Sequence, residues 1–101
     1  MSNTKTIELI RTRAAYSDRA FADLVVWKVA KPVPGSNHGY KYRLAYVVDE
    51  TCVLRYDNET GKGDHRHYGD KEEAYVFETP DKLVADFRPD IERWNRENSN
   101  S

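Results

Sequence analysis

At 101 residues the chain has room for one domain, and 33% charged against 39% hydrophobic residues describes a surface-rich protein whose single core has little to spare. The formal net charge of -1 excludes a general polyanion binder held by charge alone, and the lone Cys52 excludes an internal disulfide or a cysteine-based zinc site. No apolar run nears the roughly 18–20 residues of a spanning helix and no signal peptide is visible, so the chain reads as cytoplasmic with no membrane partner.

Charge is unevenly spread. Six Lys/Arg face three acids over residues 1–37, five face five over 38–69, and five face nine over 70–101, with all three histidines in the middle third. A basic surface would therefore be local, and the acidic excess near the end reads as a solvated face.

In chain order, the alternation through Thr4 to Ala15 predicts a first strand, with a short helix fitting nearly as well, followed by turn chemistry at Tyr16 to Ala20. Phe21 to Ala30 predicts a second strand, with Phe21, Val25, Trp27 and Val29 on one parity; Pro32, Pro34 and Gly35 then stop it. Tyr40 to Val48 carries the clearest period of two, with Tyr40, Tyr42, Leu44, Tyr46 and Val48 on one side. Asp49-Glu50 makes a tight connection to Thr51 to Asp57, although neither residue favours the positive φ that two-residue hairpins ask for. Cys52 in that strand reads as a small buried thiol.

A further strand is expected at Asp64 to Tyr68 and a last one at Ala74 to Glu78, after the polar turn GDKEE. The period then changes. Leu83, Val84, Phe87, Ile91 and Trp94 recur at helical spacing, with Thr79 as N-cap and Pro80 at the first helical position. Pro89 predicts a kink or local break. Together these describe a single α+β domain over residues 5–97, with flexible tails at 1–4 and 98–101. It is an antiparallel meander of about five or six strands packed against a C-terminal helix. A small core also leaves room for association into homo-oligomers.

The chemistry concentrates in YDNETGKGDHRHYG, Tyr56 to Gly69, where two histidines, acids, a lysine and an arginine sit between strands. Its surroundings carry a resemblance. PVPGSNHGYKYRLAYV and LRYDNETGKGDHRH, with a VFETPDKLVADFRPDIERW ending, resemble the TumE-like proteins over about residues 5–95. Those are small prokaryotic toxins of toxin–antitoxin pairs, and Pro89 departs from the smooth helical ending of the family. The resemblance implies a small DNA-binding antitoxin as partner and, by analogy of class, an RNA target.

Within that frame the central stretch supports three readings. Metal-free RNA cleavage needs a base for the 2′-OH proton, an acid for the leaving oxygen and cations for the phosphate. His65 and His67 share a parity and supply the proton transfers, Asp64 orients a histidine, and Lys62 and Arg66 hold the phosphate. Gly61 and Gly63 would bring backbone N–H groups to it. Tyr56 and Tyr42 stack on bases, and Lys41 and Arg43 contact the backbone. No cofactor is required in this reading. The alternative takes a divalent metal on Asp64, His65 and His67, with Asp57 and Glu59 within reach by loop closure. In the third, the stretch is a polar hairpin loop with surface histidines, and the protein is a non-catalytic regulator acting through its DNA-binding partner. His38, in a Pro/Gly/Ser/Asn loop, reads as solvated.

Overall fold

Strict alternation along Tyr40–Val48 decides the centre of the molecule, because one parity supplies three large buried side chains in a row. In the computed structural model, which describes residues 6–98, this segment is the third of six strands. They are β1 (Ile7–Ser17), β2 (Ala20–Lys28), β3 (Tyr40–Val48), β4 (Thr51–Asp57), β5 (His65–Tyr68) and β6 (Lys71–Ala74). Each pairs antiparallel with the next in the order β1-β2-β3-β4-β5-β6, and the chain closes with helix α1 (Pro80–Glu97). The sequence-based fold class, an α+β meander with a C-terminal helix, is what the structure shows. The tail residues 1–4 and 99–101, and the start assigned to the first strand at Thr4, lie outside the described residues.

The helix covers one face of the sheet. Leu83, Phe87 and Ile91 pack against Ala22, Val26, Tyr42, Leu44, Tyr46, Leu54 and Tyr56, all nearly or fully buried. Three tyrosines serve this interface twice over, since each ring packs on the core while its hydroxyl reaches a polar group of the helix. Tyr46 donates to Asn95 Oδ1 at 2.7 Å, Tyr56 to Asp90 Oδ2 at 2.5 Å and Tyr75 to Asp86 Oδ2 at 2.6 Å. Thr79 caps the helix as expected, its Oγ1 accepting from the Lys82 N–H at 3.0 Å, with Pro80 behind it.

Three expectations are revised. The last strand is Lys71–Ala74 and not Ala74 to Glu78. Gly69, at φ +62, turns the chain immediately after β5, so the polar KEEA segment pairs at the sheet edge, where no burial is demanded. Tyr75 still donates its N–H to Asp64 O at 3.1 Å, after which the chain leaves the sheet and Tyr75 and Phe77 pack on the core. The helix also runs unbroken past Pro89. Pro89 and Ala85 are both exposed, so the Ala85 carbonyl that loses its partner faces solvent.

Cys52 is exposed, against the expected burial. The ladder pairs Tyr46 with Leu54 but Val47 with Cys52, leaving Val53 as an extra residue. That bulge turns Cys52 onto the face away from the helix. Strand β2 buries its smaller parity, Ala22 and Val26, and leaves Phe21, Val25 and Trp27 on the open face.

Candidate functional site

The open face of the sheet gathers the reactive side chains. Register explains it: Asp57 lies opposite His65, Arg55 opposite His67, and His67 opposite Glu72, all pointing away from the helix. Leu54 and Tyr56 alternate between them and face the core. The result is a cluster of two histidines, two carboxylates and one guanidinium drawn from three adjacent strands.

The two imidazoles sit edge to face with centroids 5.0 Å apart. His65 is buried, with Nδ1 3.0 Å from the Gly63 carbonyl and Nε2 2.8 Å from Asp57 Oδ1 and 3.5 Å from Glu72 Oε2. Every atom facing its ring nitrogens is an acceptor, and the aligned hydrogen bond is the one from Nδ1 to the Gly63 carbonyl, so Nε2 carries a proton in the doubly protonated ring. His67 is more open. Its Nε2 lies 3.0 Å from Arg55 Nη2, which can only donate, and 3.3 Å from Glu72 Oε2. The nearer partner makes Nε2 of His67 an acceptor. The two rings thus face opposite kinds of partner, acceptors around His65 and a guanidinium donor at His67.

Asp57 Oδ1 makes no aligned hydrogen bond with His65 Nε2, and it and Arg55 Nε are buried without a hydrogen bond among the described residues. The 3.2 Å approach of Arg55 Nε to Asp57 Oδ2 is an ion pair without that alignment. A buried, unpaired polar atom costs about 1–3 kcal/mol, and two beside a histidine pair mark a site where packing is not organised for stability alone.

Several residues assigned from the sequence lie elsewhere. Asp64 does not reach His65 or His67; its carboxylate accepts from Ser36 Oγ at 2.6 Å, His38 Nε2 at 2.7 Å and Tyr42 OH at 2.6 Å. His38 Nδ1 in turn accepts from the Tyr40 N–H, and its ring stacks on Phe77 at 4.0 Å. With both nitrogens engaged, His38 is a part-buried anchor for its loop and not a solvated side chain. Burial, then the Asp64 hydrogen bond, pushes the Tyr42 phenol far above its ordinary value.

Arg66 lies on the helix side, between Tyr56 OH at 3.1 Å, Glu73 and Asp90. Burial works against its charge, and those three partners outweigh it, holding the guanidinium firmly protonated. Tyr56 and Tyr42 are core residues with 0% and 2% exposure, so neither ring can stack on a base. Lys62 is exposed on the loop, 3.7 Å from Glu59. Lys41 and Arg43 do lie on the open face, beside the cluster.

The glycines serve loop packing. The Gly61 N–H donates to Pro34 O at 2.7 Å, and a Cβ on Gly35 (φ +98) would stand 2.7 Å from Gly63 N. Two loops therefore lock backbone to backbone, which removes the phosphate cradle expected at Gly61. The metal trio Asp64, His65 and His67 is not assembled either, whereas ligand atoms of Asp57, His65 and His67 lie within 4.8 Å of one another.

Arg55 and Glu72 went unnoticed in the sequence because they lie in the flanking strands. The signal was pairing: closing YDNETGKGDHRH into a hairpin sets Asp57 against His65 and hence Arg55 against His67.

No helix among the described residues is long and apolar enough to cross a membrane. Comparison with curated proteins and with solved structures yields no match. The family model described as Toxin TumE matches residues 3–95, nearly the whole chain, and so this protein belongs to the TumE toxin family.

Proposed function

We propose that this toxin cleaves RNA on the open face of its sheet, with His67 as base and His65 as acid. The observation that carries the reading is the opposed surroundings of the two adjacent rings, one facing acceptors and one facing a guanidinium. His67 Nε2 takes the proton of a ribose 2′-OH as that oxygen attacks phosphorus. The P–O5′ bond breaks, and His65 gives its proton to the leaving 5′-oxygen, leaving a 2′,3′-cyclic phosphate and a 5′-hydroxyl. Asp57 orients His65, a role assigned from the sequence to Asp64. Arg55 stabilises the charge on the phosphorane oxygens, in place of Arg66 and Lys62. The cognate antitoxin is a small DNA-binding protein that neutralises the toxin by binding it.

A second reading is favoured by one observation, the convergence of Asp57, His65 and His67. Two imidazoles and a carboxylate suit a divalent ion such as zinc, which would activate water in place of the histidines. Arg55, at 3.0 Å from His67, opposes a cation there.

Induction of the chain alone in a bacterial host tests the proposal, with growth followed and total RNA examined for new ends. Arrest with discrete ends that disappear in His65→Ala/His67→Ala is the expected result. Loss of cleavage in a lysate treated with a chelator would favour the metal. Unchanged arrest in the double variant would instead point to a toxin that acts by binding.

A further inference from the structure

Next to the histidine pair, a groove of about 590 Å³ crosses the open face, lined by Arg11, Val25, Trp27, Lys41, Arg43 and Asp57 among others. Its charge is asymmetric. Each acid on its wall has a cation of its own: Asp23 is held by Arg13 at 2.7 and 2.8 Å, Asp57 by Arg55, and Glu59 by Lys62. Lys41 and Arg43 are exposed and form no ion pair among the described residues. Between them and the strand edge lies Trp27, a half-buried aromatic on the side away from the core, with the Arg11 guanidinium 5.8 Å from its ring centre. A cavity of about 550 Å³ at the helix side offers a contrast, because its Arg66 and Arg93 are paired with Glu73 and Asp90 and Lys71 alone among its cations forms no ion pair among the described residues.

We infer that this groove docks single-stranded RNA, with Trp27 stacking one unpaired base and Lys41 and Arg43 binding phosphates on the approach to His65 and His67. The inference rests on the RNA reading above and adds the binding track to it. An indole flanked by unneutralised cations is what binds a nucleic-acid strand whose bases are free, since every base has a face to stack. Ladder register fixes the path. Val25, Arg43, Asp57 and His65 are successive partners across β2, β3, β4 and β5, so three strand spacings, roughly 14 Å, separate Val25 from His65. Trp27 stands two residues along β2 from Val25, opposite Lys41. A strand crossing the sheet beside this row meets Trp27 and Lys41 at its start, then Arg43, then the histidine pair. A duplex would keep its bases paired and could not present one to Trp27.

A short 2′-O-methyl RNA tests this, because it lacks the attacking hydroxyl and binding is read apart from cleavage. Trp27 emission should be quenched on binding; Trp94 packs at the helix against Tyr46 on the other face, so the change reports the groove. Trp27→Ala should weaken binding roughly 5- to 150-fold, while Trp27→Phe keeps most affinity and abolishes the quench. Lys41→Ala/Arg43→Ala should flatten the slope of log affinity against log salt by about 1.4, at about 0.7 per lost phosphate contact. Equal affinity in Trp27→Ala, equal binding of a duplex, or equal quenching by an acidic peptide would overturn the assignment. If the modified RNA binds as described but unmodified RNA stays intact, the groove stands and the cleavage proposal falls. If RNA is cut and Trp27 is indifferent, the reverse holds.

Discussion

The Asp57 carboxylate and the His65 imidazole face each other across β4 and β5, Oδ1 to Nε2 at 2.8 Å, deep enough that only about a tenth of either side chain is exposed. Asp57→Asn preserves size and removes the charge that orients the ring. Toxicity should be lost, while stability falls by roughly 1–3 kcal/mol because a neutral amide leaves the part-buried Arg55 guanidinium without its counter-charge. Growth on induction and the urea midpoint of the purified variant, read together, separate loss of function from loss of fold.

Pro89 sits on the exposed side of an unbroken helix, where it withholds one hydrogen bond from the Ala85 carbonyl. Pro89→Ala should therefore raise stability, by about 1–3 kcal/mol, since an interior proline costs about 3 relative to alanine. A lower midpoint in denaturant would mean that the ring makes a contact the helix depends on.

At the β3–β4 turn both Asp49 and Glu50 have positive φ, +49 and +67. Asp49 has compensation, since its carboxylate takes Arg19 Nε at 2.5 Å and its N–H donates to Arg19 O at 2.8 Å. For Glu50 none is seen among the described residues. Glu50→Gly should stabilise by roughly 0.5–1 kcal/mol, the left-handed strain relieved less the chain entropy that glycine adds. Thermal unfolding of the single variant reads this directly.

Tyr42, Tyr56 and Tyr75 all have phenols raised above their ordinary value, first by burial and then by hydrogen bonds to Asp64, Asp90 and Asp86. A raised folded-state value makes the native state hold its protons more tightly than the unfolded chain does. The resulting stability is complete below the unfolded value of about 10 and is lost as pH rises beyond it. Urea midpoints should fall steeply above about pH 10, and Tyr75→Phe should make the fall shallower. An equal fall in that variant would assign the alkaline loss to other groups.

Much of this fold was legible because its strongest signals were local. The Tyr40 to Val48 alternation, the Thr79-Pro80 cap and the Leu83 to Trp94 stripe each needed no distant partner to be read. The edge strand KEEA escaped notice because an outermost strand needs no apolar face, and Tyr75 to Phe77 drew the assignment through burial alone. Cys52 was misplaced by one extra residue at Val53, which no pattern of alternation announces. The site was half visible. His65 and His67 stand out as a pair, but Asp64 is next to them in sequence and turned away in space, while Asp57 is eight residues upstream and in contact. Arg66 shows the same lesson in reverse, since alternation places it on the helix side between two histidines of the open face.

The central claim is that the His65–His67 pair transfers protons in cutting RNA, and the chemistry of the cut ends tests it most directly. Purified protein would be incubated with a single-stranded RNA in the presence of a chelator, and the termini of the products identified. The account predicts 2′,3′-cyclic phosphate and 5′-hydroxyl ends, formed without added metal and absent with His67→Ala. Intact RNA, or 5′-phosphate ends that appear only when a divalent ion is supplied, would contradict it.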